Sequence, residues 1–162
     1  MNDIIRPFLN ESIAMELNIG DLYQLFSVKF PQDYDFWWKI SIEEMNHAAL
    51  IESIDDDFLS DSILSTDSIE KQTEDMRQIN LSITDLIERF KLGSPTRSEA
   101  LKLAYELENS IGESHFEFFM TEKSSSMVVK ILQKLNGEDI NHAKRINNYM
   151  KENGISFPAP ET

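Results

Sequence analysis

The sequence contains no cysteine. This excludes disulfides, thiolate zinc sites, cysteine nucleophiles and iron–sulfur clusters within the chain. It also fits a reducing compartment. Glycine and proline are scarce, five of each in 162 residues, so long irregular stretches are not expected. No apolar run reaches the roughly 20 residues that span a bilayer. Residues 1–7 show no basic region followed by an apolar stretch, so no signal peptide is expected and the predicted location is the cytoplasm. Basic residues are also few, 15 against 29 acidic ones, for a net charge of −14. A phosphate backbone or an anionic membrane would be repelled, so neither is expected as a partner. No Gly-rich phosphate loop and no Ser/His/Asp triad can be read from the chain.

What remains is a chain rich in helix formers, long enough for one domain with its own core. Its apolar residues recur at three- and four-residue steps, which predicts an all-α domain. A first helix over 3–29 carries Ile5, Phe8, Leu9, Ser12, Ile13, Glu16, Ile19, Gly20, Tyr23 and Phe26 on one stripe and stops before Pro31. A second, over 33–54, carries Trp37, Ile40, Glu44, His47, Ile51 and Ile54. Residues 58–67 read as a loop. A connector helix over 68–91 follows, with no His and no matched inward acid, and ends at Gly93 and Pro95. A third bundle helix over 96–122 opens on the capping box Thr96-Arg97-Ser98-Glu99. Ser124-Ser125-Ser126 is a turn, and a fourth helix runs to 152, with Val128, Ile131, Leu132, Leu135, Asp139, His142, Ile146 and Tyr149 inward. The tail, 154–162, is expected to be loose. Short loops make the first two bundle helices antiparallel neighbours, and likewise the last two. A connector of about 24 residues at 1.5 Å each covers ~36 Å, enough to bring the second and third bundle helices parallel. That is the crossover of a ferritin-like four-helix bundle.

The strongest signal is an internal repeat. Glu43-Glu44-Met45-Asn46-His47-Ala48 mirrors Glu138-Asp139-Ile140-Asn141-His142-Ala143, and the segment from Glu16 through Gly20 to Asp21 aligns with that from Glu108 through Gly112 to Glu113. Residues three apart share a helix face. Glu44 with His47, and Asp139 with His142, can therefore each approach one metal ion, while Glu16 and Glu108 add a carboxylate from each of the other helices. Four carboxylates and two imidazoles aimed at one core are the donor set of di-iron and di-manganese carboxylate bundles. Cost points the same way. Buried unpaired carboxylates are expensive, and the stripes hold too few Arg or Lys residues to compensate. Two metal ions would, iron first, with manganese or zinc as alternatives. Glu106 and Glu138 fall on outward faces, the latter with Lys134, Asn141 and Arg145. His115 lies seven residues beyond Glu108, about 10.5 Å along the helix, too far to share its metal. It reads as a polar neighbour rather than a ligand. Tyr23, Trp37, Trp38, Phe116, Phe118 and Phe119 read as core and interface.

The segment from Phe36 to Ala48 resembles the second-helix motif of the rubrerythrin-like branch of the ferritin-like superfamily. The segment from Ala100 to Glu108 is similar to its third-helix motif, and Glu16 followed by Tyr23 looks like its first helix. The resemblance spans about residues 11–150. It implies a carboxylate-bridged di-iron site that reacts with peroxide or dioxygen. Glu44 and Asp139 would be bridging or terminal carboxylates, His47 and His142 one imidazole per metal, and Glu16 and Glu108 terminal carboxylates. Rubrerythrins proper carry a four-cysteine iron domain, which this chain lacks. Electrons would then come from a separate donor or from ferrous iron itself. Asp139 stands where Glu is usual, and His115 where an aromatic is common. A homodimer or larger homo-oligomer is the candidate assembly. The alternatives are a non-catalytic iron-handling bundle and a metal-free helical interaction domain.

Overall fold

The structure is a computed structural model and describes residues 2–54, 66–114 and 127–156. Those residues form five α-helices and no strand. They are α1 (Asn2–Lys29), α2 (Tyr34–Glu52), α3 (Thr66–Leu92), α4 (Arg97–Ser114) and α5 (Met127–Glu152), with a single 3₁₀ turn, Pro31–Asp33, between α1 and α2. The all-α expectation holds. The second bundle helix starts one residue later than expected because Pro31 and Asp33 are taken up by that turn. The connector is three residues longer than expected, reaching Thr66 and Leu92. His115, Phe116, Phe118, Phe119 and the turn at 124–126 lie outside the described residues.

Side-chain contacts give the helix directions. Arg77 meets Glu11, Asn80 meets Glu11 and Asn18, and Lys29 reaches the carbonyls of Lys91 and Gly93, so α3 runs parallel to α1 along its outer side. The chain is thereby carried back to the end where α2 began. There Arg97, at the start of α4, grips Asp33 at the start of α2, so α2 and α4 run parallel. Tyr149 and Asn153, at the end of α5, join the same cluster, so α5 is antiparallel to both.

The ends follow from local chemistry. Thr96 and Glu99 form the expected capping box: Glu99 Oε2 accepts from the Thr96 amide at 2.7 Å, and the Glu99 amide donates to Thr96 Oγ1 at 3.2 Å. Helix α5 closes differently from the loose tail expected. Gly154 adopts φ of +68°, and the Ile155 amide reaches back to the Met150 carbonyl at 2.9 Å. This is a glycine-dependent cap in which Ile155 packs on the core. Residues 157–162 lie outside the described part.

The core has two apolar layers. One gathers Tyr23, Phe26, Trp37, Ile40, Leu101, Ala104 and Ile146. The other gathers Phe8, Leu9, Ile51, Met76, Leu132 and Leu135. Between them, along every bundle helix, sit the ionisable residues of the repeat. Gly20 lets α1 and α2 approach at this level: a Cβ there would stand 3.3 Å from the Ser41 carbonyl and 3.5 Å from Glu44 Cβ.

Asp33 is buried, and its carboxylate takes two 2.6 Å hydrogen bonds from Arg97 and one of 2.7 Å from the Tyr149 hydroxyl. Removing one partner of a buried pair strands the other charge. Arg97→Ala is therefore expected to cost about 2–3 kcal/mol, less than a fully buried pair because Arg97 is partly exposed. Asn153→Ala should cost well under half of that. Urea denaturation midpoints check both; equal midpoints would show that the cluster does not hold this end of the bundle.

Candidate metal centre

Each expected site residue lies where the periodicity put it. Glu16, Glu44, His47, Glu108, Asp139 and His142 are all at least 95% buried. They come from four different helices, α1, α2, α4 and α5, and converge on one layer. Two overlapping groups have the reach to hold a metal ion: Glu16, Glu44, His47 and Asp139, and Glu44, Glu108 and His142. Glu44 belongs to both.

The imidazoles aim Nδ1 inward. His47 Nδ1 lies 3.2 Å from Glu44 Oε2, 3.5 Å from Glu16 Oε2 and 3.9 Å from Asp139 Oδ1. His142 Nδ1 lies 2.7 Å from Glu44 Oε1 and 3.9 Å from Glu108 Oε2. The two rings stack at 5.4 Å between centroids. These contacts are short but poorly aligned. Glu16 Oε1, Glu44 Oε1, Asp139 Oδ2 and both Nδ1 atoms are buried with no well-formed hydrogen bond. Orphaned buried polar atoms are rare because each forfeits its hydration. Five of them face one another, and the groups they belong to could hold a metal ion. The donor types are carboxylate oxygen and imidazole nitrogen.

The outward nitrogens were not foreseen from the sequence. His142 Nε2 lies 2.9 Å from Glu43 Oε2, and Arg145 pairs with that same oxygen. His47 Nε2 lies 2.8 Å from Glu138 Oε2, whose other oxygen is 3.4 Å from Lys134. Each imidazole is thus backed by the acid that directly precedes the buried acid on the opposite helix. This corrects the outward assignment of Glu138. It does face solvent along one edge, but its side chain is long enough to cross to α2. The signal was present in the repeat as two acidic doublets, Glu43-Glu44 and Glu138-Asp139. A carboxylate behind a metal-binding imidazole fixes its tautomer and orientation. These four residues, with Asn46, Asn141, Lys134 and Arg145, line a groove of about 350 Å³ between α2 and α5.

On the far side of the layer the Tyr23 hydroxyl donates to Glu108 Oε1 at 2.6 Å. Tyr23 is fully buried, as expected of a core residue, yet it also restrains a candidate ligand. Burial and the Glu108 charge push its pKa well up, so it remains a phenol and a donor.

Burial and mutual contacts shift these groups in opposite directions. Burial drives the Glu16 carboxyl well above the usual range, against the hydrogen bond from His47. Burial does the same to Glu108, helped by the charges of Glu44 and Asp139. Asp139 is raised by burial and by Glu44 to about 7. Glu44 is opposite: burial would raise it, but its contacts with the His142 and His47 imidazoles prevail and lower it to about 2. Burial would lower His47, but its contacts with Glu16 and Glu44 raise it to about 11.

Among known proteins, no family model, no curated protein and no solved structure matches the chain.

The proton inventory sets a pH dependence. Asp139 at about 7 and His47 at about 11 both lie above their unfolded values, so the folded metal-free chain binds more protons than the unfolded one. Stability then falls as pH rises. The Asp139 part is lost between pH ~4 and ~7, and the His47 part from pH ~6.5 up through ~11. Each unit of pH costs about 1.4 kcal/mol per extra proton held. Metal-free protein should unfold at lower urea at pH 9 than at pH 6, and Asp139→Asn should flatten the part below pH 7. A midpoint that rises over this range would contradict the assignment.

Proposed function

We propose that this chain is a dinuclear metal protein of ferritin-like architecture, most akin to the rubrerythrin-like branch, that binds iron and works as a peroxidase or ferroxidase. The observation that carries the reading is the convergence of four carboxylates and two imidazoles, from four helices, with an unpartnered buried atom on five of the six. The four carboxylates carry a charge of −4 when ionised, which two divalent cations neutralise. The directions of α1, α2, α4 and α5, with α3 as the return, support a crossover bundle.

In this reading Glu16, Glu44, His47 and Asp139 would hold one ion, and Glu44, Glu108 and His142 the other. Iron, when bound, would supply the redox chemistry toward peroxide or dioxygen. The chain supplies the rest. Glu43 and Glu138 hold the imidazoles in one tautomer, and Tyr23 holds Glu108 in one orientation. The two apolar layers exclude water from above and below. Protons held by Asp139 and His47 leave when a cation enters, because ligands must be deprotonated to bind. The reducing equivalents would come from ferrous iron or from a separate donor protein.

Protein loaded anaerobically with ferrous iron is expected to carry about two metal ions per chain by elemental analysis. His47→Ala with His142→Ala should remove them. Exposure to peroxide or air should then give ferric absorbance in the native protein alone. Metal bound without accelerated oxidation would leave an iron-handling bundle, and metal content unchanged in the double variant would refute the site.

The imidazole backing has its own consequence. Glu43→Gln and Glu138→Gln should each lower metal affinity by about 10- to 100-fold, the usual effect of losing such a partner. Glu106→Gln, on an exposed face of α4, should not. Competition with a chelator of known affinity measures this, and equal affinities would show that the imidazoles need no backing.

A further inference from the structure

Four aromatic rings on three helices form a continuous column from the carboxylate–imidazole layer to the surface. Tyr23, on α1, stands at the inner end, its hydroxyl 2.6 Å from Glu108 Oε1. Its ring packs on Trp37 of α2, 5.4 Å between centroids. Trp37 meets Phe36 edge-on at 5.1 Å, and Phe36 lies flat on Tyr149 of α5, 3.9 Å away with the planes 7° apart. Tyr23 and Trp37 are fully buried, whereas Phe36 and Tyr149 are partly exposed.

Core packing alone does not account for the residue types. A buried indole ordinarily finds a partner for its N–H. Trp37 Nε1 is buried without one, a cost that phenylalanine or leucine at this position would avoid. What indole and phenol offer beyond packing is easy one-electron oxidation, which a phenyl ring lacks. Both phenols of the column also donate to carboxylates, Tyr23 to Glu108 and Tyr149 to Asp33 Oδ1 at 2.7 Å. An oxidised phenol is a strong acid, so a carboxylate on its hydroxyl makes its oxidation easier. An oxidised indole with no acceptor keeps its proton and passes the vacancy on.

Resting on the oxidoreductase reading above, we propose that Tyr149, Phe36, Trp37 and Tyr23 carry electrons from a one-electron donor at the surface into the carboxylate–imidazole layer. Tunnelling falls steeply with the gap, so short steps between touching rings outrun one long jump. Trp37 and Tyr149 are the stopping points, and Phe36 is the bridge that couples them. When Tyr149 gives an electron to Trp37, its phenolic proton moves to Asp33 Oδ1. When the donor refills the ring, the proton returns. Asp33 keeps its Arg97 partner throughout. Two such electrons, with two protons from solvent, reduce one peroxide to two waters, and two donor molecules each lose one electron. The net charge of −14 favours a cationic donor.

The test uses iron-loaded protein oxidised with peroxide and then re-reduced by hexaammineruthenium(II), followed by stopped-flow absorbance. Trp37→Phe should slow re-reduction by about tenfold or more while leaving the first oxidation within about twofold. Peroxide without donor, followed by freeze-quench and electron paramagnetic resonance, should give a tyrosyl radical signal. Its Tyr149 part should be missing from both Tyr149→Phe and Trp37→Phe. Phe26 touches the rings of Tyr23 and Trp37 but lies off the column, so Phe26→Leu should loosen the same packing and keep both rate and signal. Equal re-reduction in native protein and Trp37→Phe, no radical at Tyr149, or Phe26→Leu behaving like Trp37→Phe would each overturn the electron path and leave the oxidoreductase reading standing. No iron bound, or no oxidation by peroxide, would overturn both.

Discussion

Six ionisable side chains occupy one layer of a bundle whose adjoining layers are apolar, and none of the six has more than a few per cent of its surface exposed. Each buried charge in such a place costs several kcal/mol unless a partner compensates it. The carboxylates cannot be compensated by the two imidazoles alone, which is why protons are driven onto Glu16, Glu108 and Asp139 while Glu44, held between both imidazoles, stays ionised. Replacing buried charges by well-packed apolar side chains is often neutral or stabilising, so six retained ionisable groups support the metal-binding reading, and the rest of the architecture brings them together.

That arrangement begins far from the layer. Asp33, Arg97 and Tyr149 tie the starts of α2 and α4 to the end of α5. This sets the axial register of three of the four helices that carry the candidate ligands. Helix α3 makes the tie possible by running beside α1 and delivering the chain to the right end. Its polar contacts with α1, Asn80 to Glu11 and Asn18, fix how far it runs. Gly20 then sets the lateral approach of α1 to α2 where Glu16 and Glu44 must converge. Register, direction and spacing are thus set by separate devices, each visible as a particular residue.

The periodic part of this was legible in the sequence. Glu16, Glu44, His47, Glu108, Asp139 and His142 were found because buried acids on an apolar stripe violate the pattern around them, and the repeat made the violation systematic. The capping box at Thr96 and Glu99 was legible for the same local reason. What escaped was anything that depends on side-chain length across a gap. Glu138 sits on an outward face by angle, yet its carboxylate reaches His47, and Glu43 reaches His142 likewise. The Tyr23 contact with Glu108 joins α1 to α4, 85 residues apart, and no spacing rule couples them. The cap at Gly154 was missed because two nearby prolines made the tail read as loose, although a glycine just past a helix is also the usual stop.

The acidic doublets show why Glu43 and Glu138 are not incidental. Consecutive residues of a helix point about 100° apart. If Glu44 points into the layer, Glu43 must point along its flank, toward whichever helix is adjacent there. In an antiparallel neighbour built from the same motif, the residue met at that height is the other histidine, and the relation is reciprocal. One acid of each doublet therefore faces the inner nitrogens, and the other backs the outer nitrogen of the opposite imidazole. A slip of one residue in either helix would break both relations at once. The doublet thus encodes register between α2 and α5 as well as donor chemistry, and the shortening of Glu44 to Asp139 in one copy changes the donor side while leaving the backing side intact.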